Sequence, residues 1–228
     1  MNKKILVIGS KPDAKLPKHD FTKIYCANAA VSRAKHYKNA KVCNIVAHKQ
    51  IYKDTVINSI REGEPDLIIW RLHNNNEIFP NELTKISHGT ASIKVLRGEE
   101  NFTIEHYFLG KSIWKGIAIP GRLHFKFLNI CQTLFTKHKV FATSTGLFSI
   151  LYALYHNPEA EIVVSGIGLQ GGTHFNSTEI FKDEHAIRDI YAANKISEIH
   201  KSRVTTTNLT FSEVAEVKLW QGEWFVDY

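Results

Sequence analysis

The chain alternates short apolar runs with stretches whose apolar residues recur every three or four positions. Ile5-Leu6-Val7-Ile8 is a near-continuous apolar run ending at Gly9, the pattern of a strand buried on both faces of a parallel sheet. Lys23 to Ala27, Val42 to Val46 and Asp66 to Trp70 repeat it, the last after the turn signal Gly63-Glu64-Pro65. Ala29 to Tyr37 and Lys49 to Arg61 read as helices between those strands. In the second half, Leu123 to His138 looks helical, and Leu147 to Tyr155 is apolar on most faces, as in a buried helix, until Asn157-Pro158 stops it. Glu161 to Gly166 reads as a strand. Asp183 to Lys201 reads as a long helix with Ile187, Ile190, Tyr191, Ile196 and Ile199 along one broad face, and Val204 to Thr206 as a last strand. The stretch 72–122 is polar, contains Asn74-Asn75-Asn76 and has weak periodicity, so it reads as an irregular insertion or lid.

This order predicts one α/β domain over residues 1–228: a Rossmann-like, mostly parallel sheet with helices on both faces and a small lid or insertion. In such sheets ligands sit beyond the carboxyl ends of the strands. That rule points to the loops starting at Gly9, Ala27, Val46, Trp70, Phe141 and Gly166.

Several of those loops carry candidate chemistry. Gly9-Ser10-Lys11-Pro12 places a glycine where backbone can approach a ligand, although it is neither GxGxxG nor a P-loop. Ser144 or Thr145, with Gly146, can cap the apolar helix, and the same amides with the positive helix end can bind a phosphate. Gly166-Ile167-Gly168-Leu169 leads into Gln170-Gly171-Gly172, a glycine-rich segment open to close contact with a flat base or equally a flexible surface loop. His185 stands beside Asp183 and Glu184, and a neutral imidazole there can take a proton from a sugar hydroxyl. His174 competes for that role or for a donor phosphate. Asn74 to Asn76 suit sugar hydroxyls or a solvated turn. No HExxH, DxD or other metal-ligand spacing is present, so no metal and no cofactor are expected.

Composition narrows the partners. The formal net charge is +7 and the pI about 9.2, which favours anionic ligands. The basic residues are scattered and the densest run, Lys35 to Lys41, is short, which argues against nucleic acid. Hydrophobic residues at 43% and charged residues at 22% fit a globular chain. Cys26 and Cys43 lie in apolar runs and Cys131 is unmatched, the usage of a reducing cytoplasm rather than of a disulfide framework. The apolar run after Lys3-Lys4 is too short for a signal peptide, and no stretch reaches the ~18 apolar residues that span a bilayer. A cytoplasmic protein, or one peripheral to the inner membrane face, is expected. Leu219 to Val226 reads as a last strand on the core, or else as a contact with a membrane or a second subunit in a homo-oligomer.

Taken together, these segments resemble the bacterial sialyltransferases of glycosyltransferase family 42 over most of the chain apart from the middle insertion and the last dozen residues. That family's Gly-Asn-Gly-Pro-Ser turn corresponds to Gly9-Ser10-Lys11-Pro12-Asp13, and its Arg-Cys-Asn strand end to Tyr25-Cys26-Ala27-Asn28. Its Thr-Ser-Gly motif resembles Ser144-Thr145-Gly146, its Ser-Gly-Ile-Asp strand end resembles Ser165-Gly166-Ile167-Gly168, and its catalytic histidine lines up with His185. The resemblance implies metal-independent transfer of a sugar acid from a CMP-activated donor to a hydroxyl of a glycan or glycolipid acceptor. Gly9, Ser10, Ser144, Thr145 and Gly146 would hold the CMP phosphate and ribose, and Asn28 the donor hydroxyls. Gly166, Ile167, Gly168 and Leu169 would line the cytosine, and His185 would be the general base. The family's two tyrosines after the fourth motif are missing here, where Thr173, His174 and Phe175 stand; His174 would replace them. The Asp-to-Gly168 departure leaves the donor open between sialic acid, a bacterial relative and Kdo. A pterin pyrophosphokinase-like enzyme and a non-catalytic nucleotide- or glycan-binding module are the other classes consistent with the sequence.

Overall fold

The computed structural model describes residues 3–12, 14–72, 86, 91–109, 143–169, 172–174, 177–181 and 186–225. The expected helix at 123–138, Asn74 to Asn76, Cys131 and His185 lie outside the described residues. The strands are β1 (Lys4–Ile8), β2 (Lys23–Ala27), β3 (Lys41–Ala47), β4 (Leu67–Arg71), β5 (Ser92–Leu96), β6 (Glu161–Ser165), β7 (Gly172–His174), β8 (Ser177–Phe181), β9 (Val204–Thr206) and β10 (Lys218–Leu219). The α-helices are α1 (Asp54–Gly63), α2 (Gly98–Leu109), α3 (Thr145–His156), α4 (Ala186–His200) and α5 (Leu209–Ala215), with 3-10 helices at Asn28–His36 and His48–Gln50.

Eight strands form one all-parallel sheet in the order β10-β9-β6-β1-β2-β3-β4-β5. The chain steps outward from β1 to β5, returns to the other side of β1 with β6, and continues outward to β10. A reversal of travel forces the connections onto the opposite face if crossovers keep one hand. The core obeys this. One face of the sheet carries Leu6, Ile8, Ile24, Cys26, Val46 and Trp70 against the first 3-10 helix and α1. The other carries Ile5, Val7, Tyr25, Cys43 and Ile45 against α2, α3, α4 and α5. Period-two alternation puts Cys26 and Cys43, on neighbouring strands, on opposite faces, and both are free and buried.

Helix α3 lies at the centre of the second layer. Residues Leu147 to Leu154 are all buried, as expected for a helix apolar all round. Burying each large side chain there contributes about 1.5–3 kcal/mol.

Within 72–122, the described part is not irregular. β5 pairs parallel with β4 at the sheet's outer edge, and α2 packs its Ile104 and Phe108 into the core. The glycine-rich stretch after β6 contains a two-stranded antiparallel hairpin, β7–β8. Among the described residues, the carboxyl-terminal segment is strand at Lys218–Leu219 and then crosses the first face as a strap. Trp224 bridges to Pro17, Phe225 N donates to Leu16 O at 2.9 Å and Lys18 N to Glu223 O at 2.8 Å. Trp220 and Phe225 thereby pack onto the apolar cluster of that face, Trp220 beside Phe21 and Phe225 beside His36 and Tyr37. No helix among the described residues is long and apolar enough to cross a membrane.

Candidate functional site at the carboxyl edge of the sheet

The direction of travel reverses between β1 and β6, so the switch point lies where Gly9 and Gly166 leave the sheet. The two exits are zipped together. Gly9 N donates to Ser165 O at 2.8 Å and Lys11 N to Gly166 O at 3.0 Å, extending the ladder past both strands. A Cβ on Gly9 would stand 2.5 Å from Ile167 Cγ1, and one on Gly166, whose φ is +68°, would stand 2.8 Å from Gly9 O. These two glycines let main chain approach main chain. The loop that follows β1 is held down by the Arg33 guanidinium, which donates to Lys11 O at 3.1 Å and to Ala14 O. Ser165 Oγ adds a bond to Lys15 O at 2.7 Å. Ser10 lies half-buried in the same loop.

Helix α3 starts beside this turn. Ser144 is its N-cap, its Oγ accepting from Leu147 N at 3.2 Å. A Cβ on Gly146 would meet Ile167 Cγ1 and Cγ2 at an ordinary 3.6 Å. Ile167 therefore sits between Gly9 and Gly146, and it is 4% exposed. The sequence-predicted pieces at Gly9, Ser144 to Gly146 and Gly166 to Gly168 thus converge on one spot. Ile167 and Leu169 put their side chains in the core and have only main chain to offer a ligand. The Thr145 and Gly146 amides find no acceptor among the described residues. Lys11 lays its side chain across Gly168, where an added Cβ would come within 2.6 Å of Nζ. Its ammonium has no hydrogen-bond or ion-pair partner among the described residues.

Under the start of α3 lies a polar knot the sequence reading did not single out. Arg71, last residue of β4, is 1% exposed. It donates from Nη2 to Glu105 Oε1 at 2.9 Å, from Nη1 to Thr143 O at 3.0 Å and from Nε to Asn101 Oδ1 at 3.2 Å. Its guanidinium stacks 3.9 Å from the Phe148 ring centroid. Burial pulls the Arg71 pKa down, and the Glu105 and Asp189 carboxylates oppose that shift. Glu105 Oε1 also accepts from Thr143 N at 3.1 Å and Thr143 Oγ1 at 2.7 Å. Asp189, in the first turn of α4 and 3% exposed, accepts from Ser144 N at 2.9 Å.

Asn28 follows β2 in the left-handed region, φ 51°, which asparagine tolerates better than most residues. Its Oδ1 accepts from Ala47 N at 3.1 Å, tying the ends of β2 and β3 together. The next residue after Ala47 is His48, its ring 5.5 Å from both Tyr52 and Trp70. His48 and Arg71 both follow apolar strand runs at the sheet's carboxyl edge, a positional signal that marks them before any motif does. His174 ends β7 opposite Ser177. Among the described residues no group of three or more His, Cys, Asp or Glu is arranged to hold a metal. No family model, curated protein or solved structure matches the chain.

Proposed function

We propose that this chain is a transferase that moves sialic acid or a related sugar acid from a CMP-activated donor to a hydroxyl of a cell-surface glycan precursor. The observation that carries the reading is the meeting of the opening turn, the α3 N-terminus and the β6 exit at the switch point. The order in which its segments resemble the motifs of family 42 supports it. The Thr145 and Gly146 amides and the positive end of α3 would stabilise the donor phosphate, with the Lys11 ammonium near Gly168 as a second source of positive charge. Asn28 would meet donor hydroxyls. In the transfer step the acceptor oxygen bonds to the anomeric carbon. The bond from that carbon to the phosphate oxygen breaks, its electron pair stays on CMP, and the acceptor proton goes to the imidazole of His185.

A thermal-shift panel tests this. CMP in EDTA should raise the melting temperature more than UMP, UDP, GDP or ATP, since a ligand bound only to the folded state stabilises it by RT ln(1 + [L]/Kd). Stabilisation that needs a divalent cation would favour the pyrophosphokinase-like alternative. No preference for CMP would refute the proposal.

A further inference from the structure

Lys11 has its main chain bonded on both sides and its side chain laid on a second segment. Its N–H donates to Gly166 O at 3.0 Å, and its carbonyl accepts from Arg33 Nη1 at 3.1 Å. The stem then crosses to Gly168. An added Cβ there would stand 2.6 Å from Lys11 Nζ and 2.9 Å from Cδ, with Cε closer still. Gly168 lies between Ile167 and Leu169, 4% and 2% exposed, whose side chains enter the core. The space a Gly168 side chain would take is therefore on the other side, away from the core, and the lysine stem fills it. Elsewhere among the described residues Lys18, Lys35, Lys94 and Lys195 each meet a carboxylate. The Lys11 ammonium meets no hydrogen-bond or ion-pair partner among those residues. Gly168 adjoins Ile167, which lies 3.6 Å from where a Gly146 Cβ would stand, so the lysine and the α3 N-terminus border the same spot.

We infer that Gly168 is the seat of Lys11, and that the seated ammonium is the specificity-determining group that reads the nucleotide phosphate. The inference rests on the functional reading above and changes one part of it. Gly168 is glycine so that a lysine can lie across it, not so that a cytosine can. A helix end offers about half an elementary charge and an ammonium a whole one, so the lysine carries the larger part of the attraction for a phosphate. The seat matters as much as the charge. Any side chain at position 168 evicts the ammonium while leaving it in the protein.

The test is a double-mutant cycle on the full chain. CMP is the probe, because it carries the phosphate and no sugar carboxylate. Lys11→Met removes the charge and keeps a stem. Gly168→Ala keeps the charge and moves it. The added methyl meets only the far end of a flexible side chain, and Gly168 is without the positive φ of Gly166, so that variant should fold. Affinity is read by calorimetry, with circular dichroism to show that each chain is folded. Lys11→Met should weaken CMP binding about thirtyfold, the scale of a hydrogen bond to a charged group. Gly168→Ala should weaken it about tenfold, as the ammonium leaves its seat. The double variant should match Lys11→Met within about twofold, because the seat is irrelevant once the charge is gone. Either single variant binding CMP like wild type, or a double variant showing the product of the two losses, overturns the inference and leaves the functional reading standing. Should Gly168→Ala not fold, Lys11→Met decides alone. A wild-type chain that binds no CMP overturns the functional reading and this inference together.

Discussion

The Glu105→Ala substitution isolates the buried polar knot. In the native chain Glu105 Oε1 receives three donors, Arg71 Nη2 at 2.9 Å, Thr143 N at 3.1 Å and Thr143 Oγ1 at 2.7 Å. Removing the carboxylate leaves the Arg71 guanidinium, 1% exposed, without its ion-pair partner. Breaking one side of a buried pair costs about 3–5 kcal/mol. The lower end applies here, because Arg71 keeps Asn101 Oδ1, Thr143 O, the Phe148 ring and the field of Asp189. A loss of ~3 kcal/mol should lower the melting temperature of a chain this size by roughly 6–12 °C. Urea and thermal unfolding measure both quantities. A companion Arg71→Met, Glu105→Met double variant removes both charges and should recover the part of the loss due to the unpaired guanidinium, while the Thr143 amide and hydroxyl still lack the Glu105 acceptor. A Glu105→Ala loss below about 1 kcal/mol, or a double variant as unstable as the sum of its singles, would refute the reasoning.

The two glycines that meet the Ile167 side chain from other segments, Gly9 and Gly146, should behave differently. Gly9→Ala puts a Cβ 2.5 Å from Ile167 Cγ1 and should destabilise by about 1–3 kcal/mol, whereas Gly146→Ala meets only 3.6 Å contacts and should stay within about 1 kcal/mol; equal urea midpoints for the two would contradict this. Stability should also fall as the solution is acidified through the histidine range. Burial, then neighbouring cations, lower the pKa of His36 (Lys35, Arg33), His156 (Lys94 and Lys23, with Glu100 opposing) and His200 (Arg203) below the ordinary 6.5. The unfolded chain then binds protons first, so this stability is fully present above pH 6.5 and is lost as pH falls through the window beneath it. Urea midpoints from about pH 7.5 to 5 should decline, and His156→Gln should flatten the slope; a flat wild-type profile would count against the assignment.

Strands buried on both faces announced themselves. β1, β2, β3, β4, β6 and β9 all lie within a residue of their apolar runs, because strands packed on both sides are mostly apolar, with Asn44 of β3 and the threonines of β9 among the polar exceptions. β5 did not, because Ser92 and Lys94 break its run at the sheet's edge, where four of its five residues keep some exposure. α2 hid for a different reason. Its buried positions include Asn101, Glu105 and His106, and a pattern that counts only apolar residues cannot see a face whose partner is a buried arginine. The same blindness hid the knot: Arg71, Glu105 and Asp189 are ordinary charged residues until the fold brings residues 71, 105, 143 and 189 together.

The glycine motifs show why a candidate site was only partly legible. A position where a ligand approaches the backbone and a position where another strand approaches it both exclude a side chain, so sequence cannot separate them. At Gly9 and Gly166 the excluding neighbour is main chain, with Ala14 Cβ and Ile167 Cγ1 beside it. At Gly168 it is the Lys11 side chain, and at Gly146 an added Cβ fits. On the functional reading above, a ligand at this edge would meet main chain over the buried Ile167 side chain rather than an open glycine cradle. Its polar contacts would then come from the Thr145 and Gly146 amides at the start of α3 and from Lys11. On that reading, discrimination among anionic donors would fall on the position of the α3 N-terminus, which Glu105 and Asp189 hold through the Thr143 and Ser144 amides.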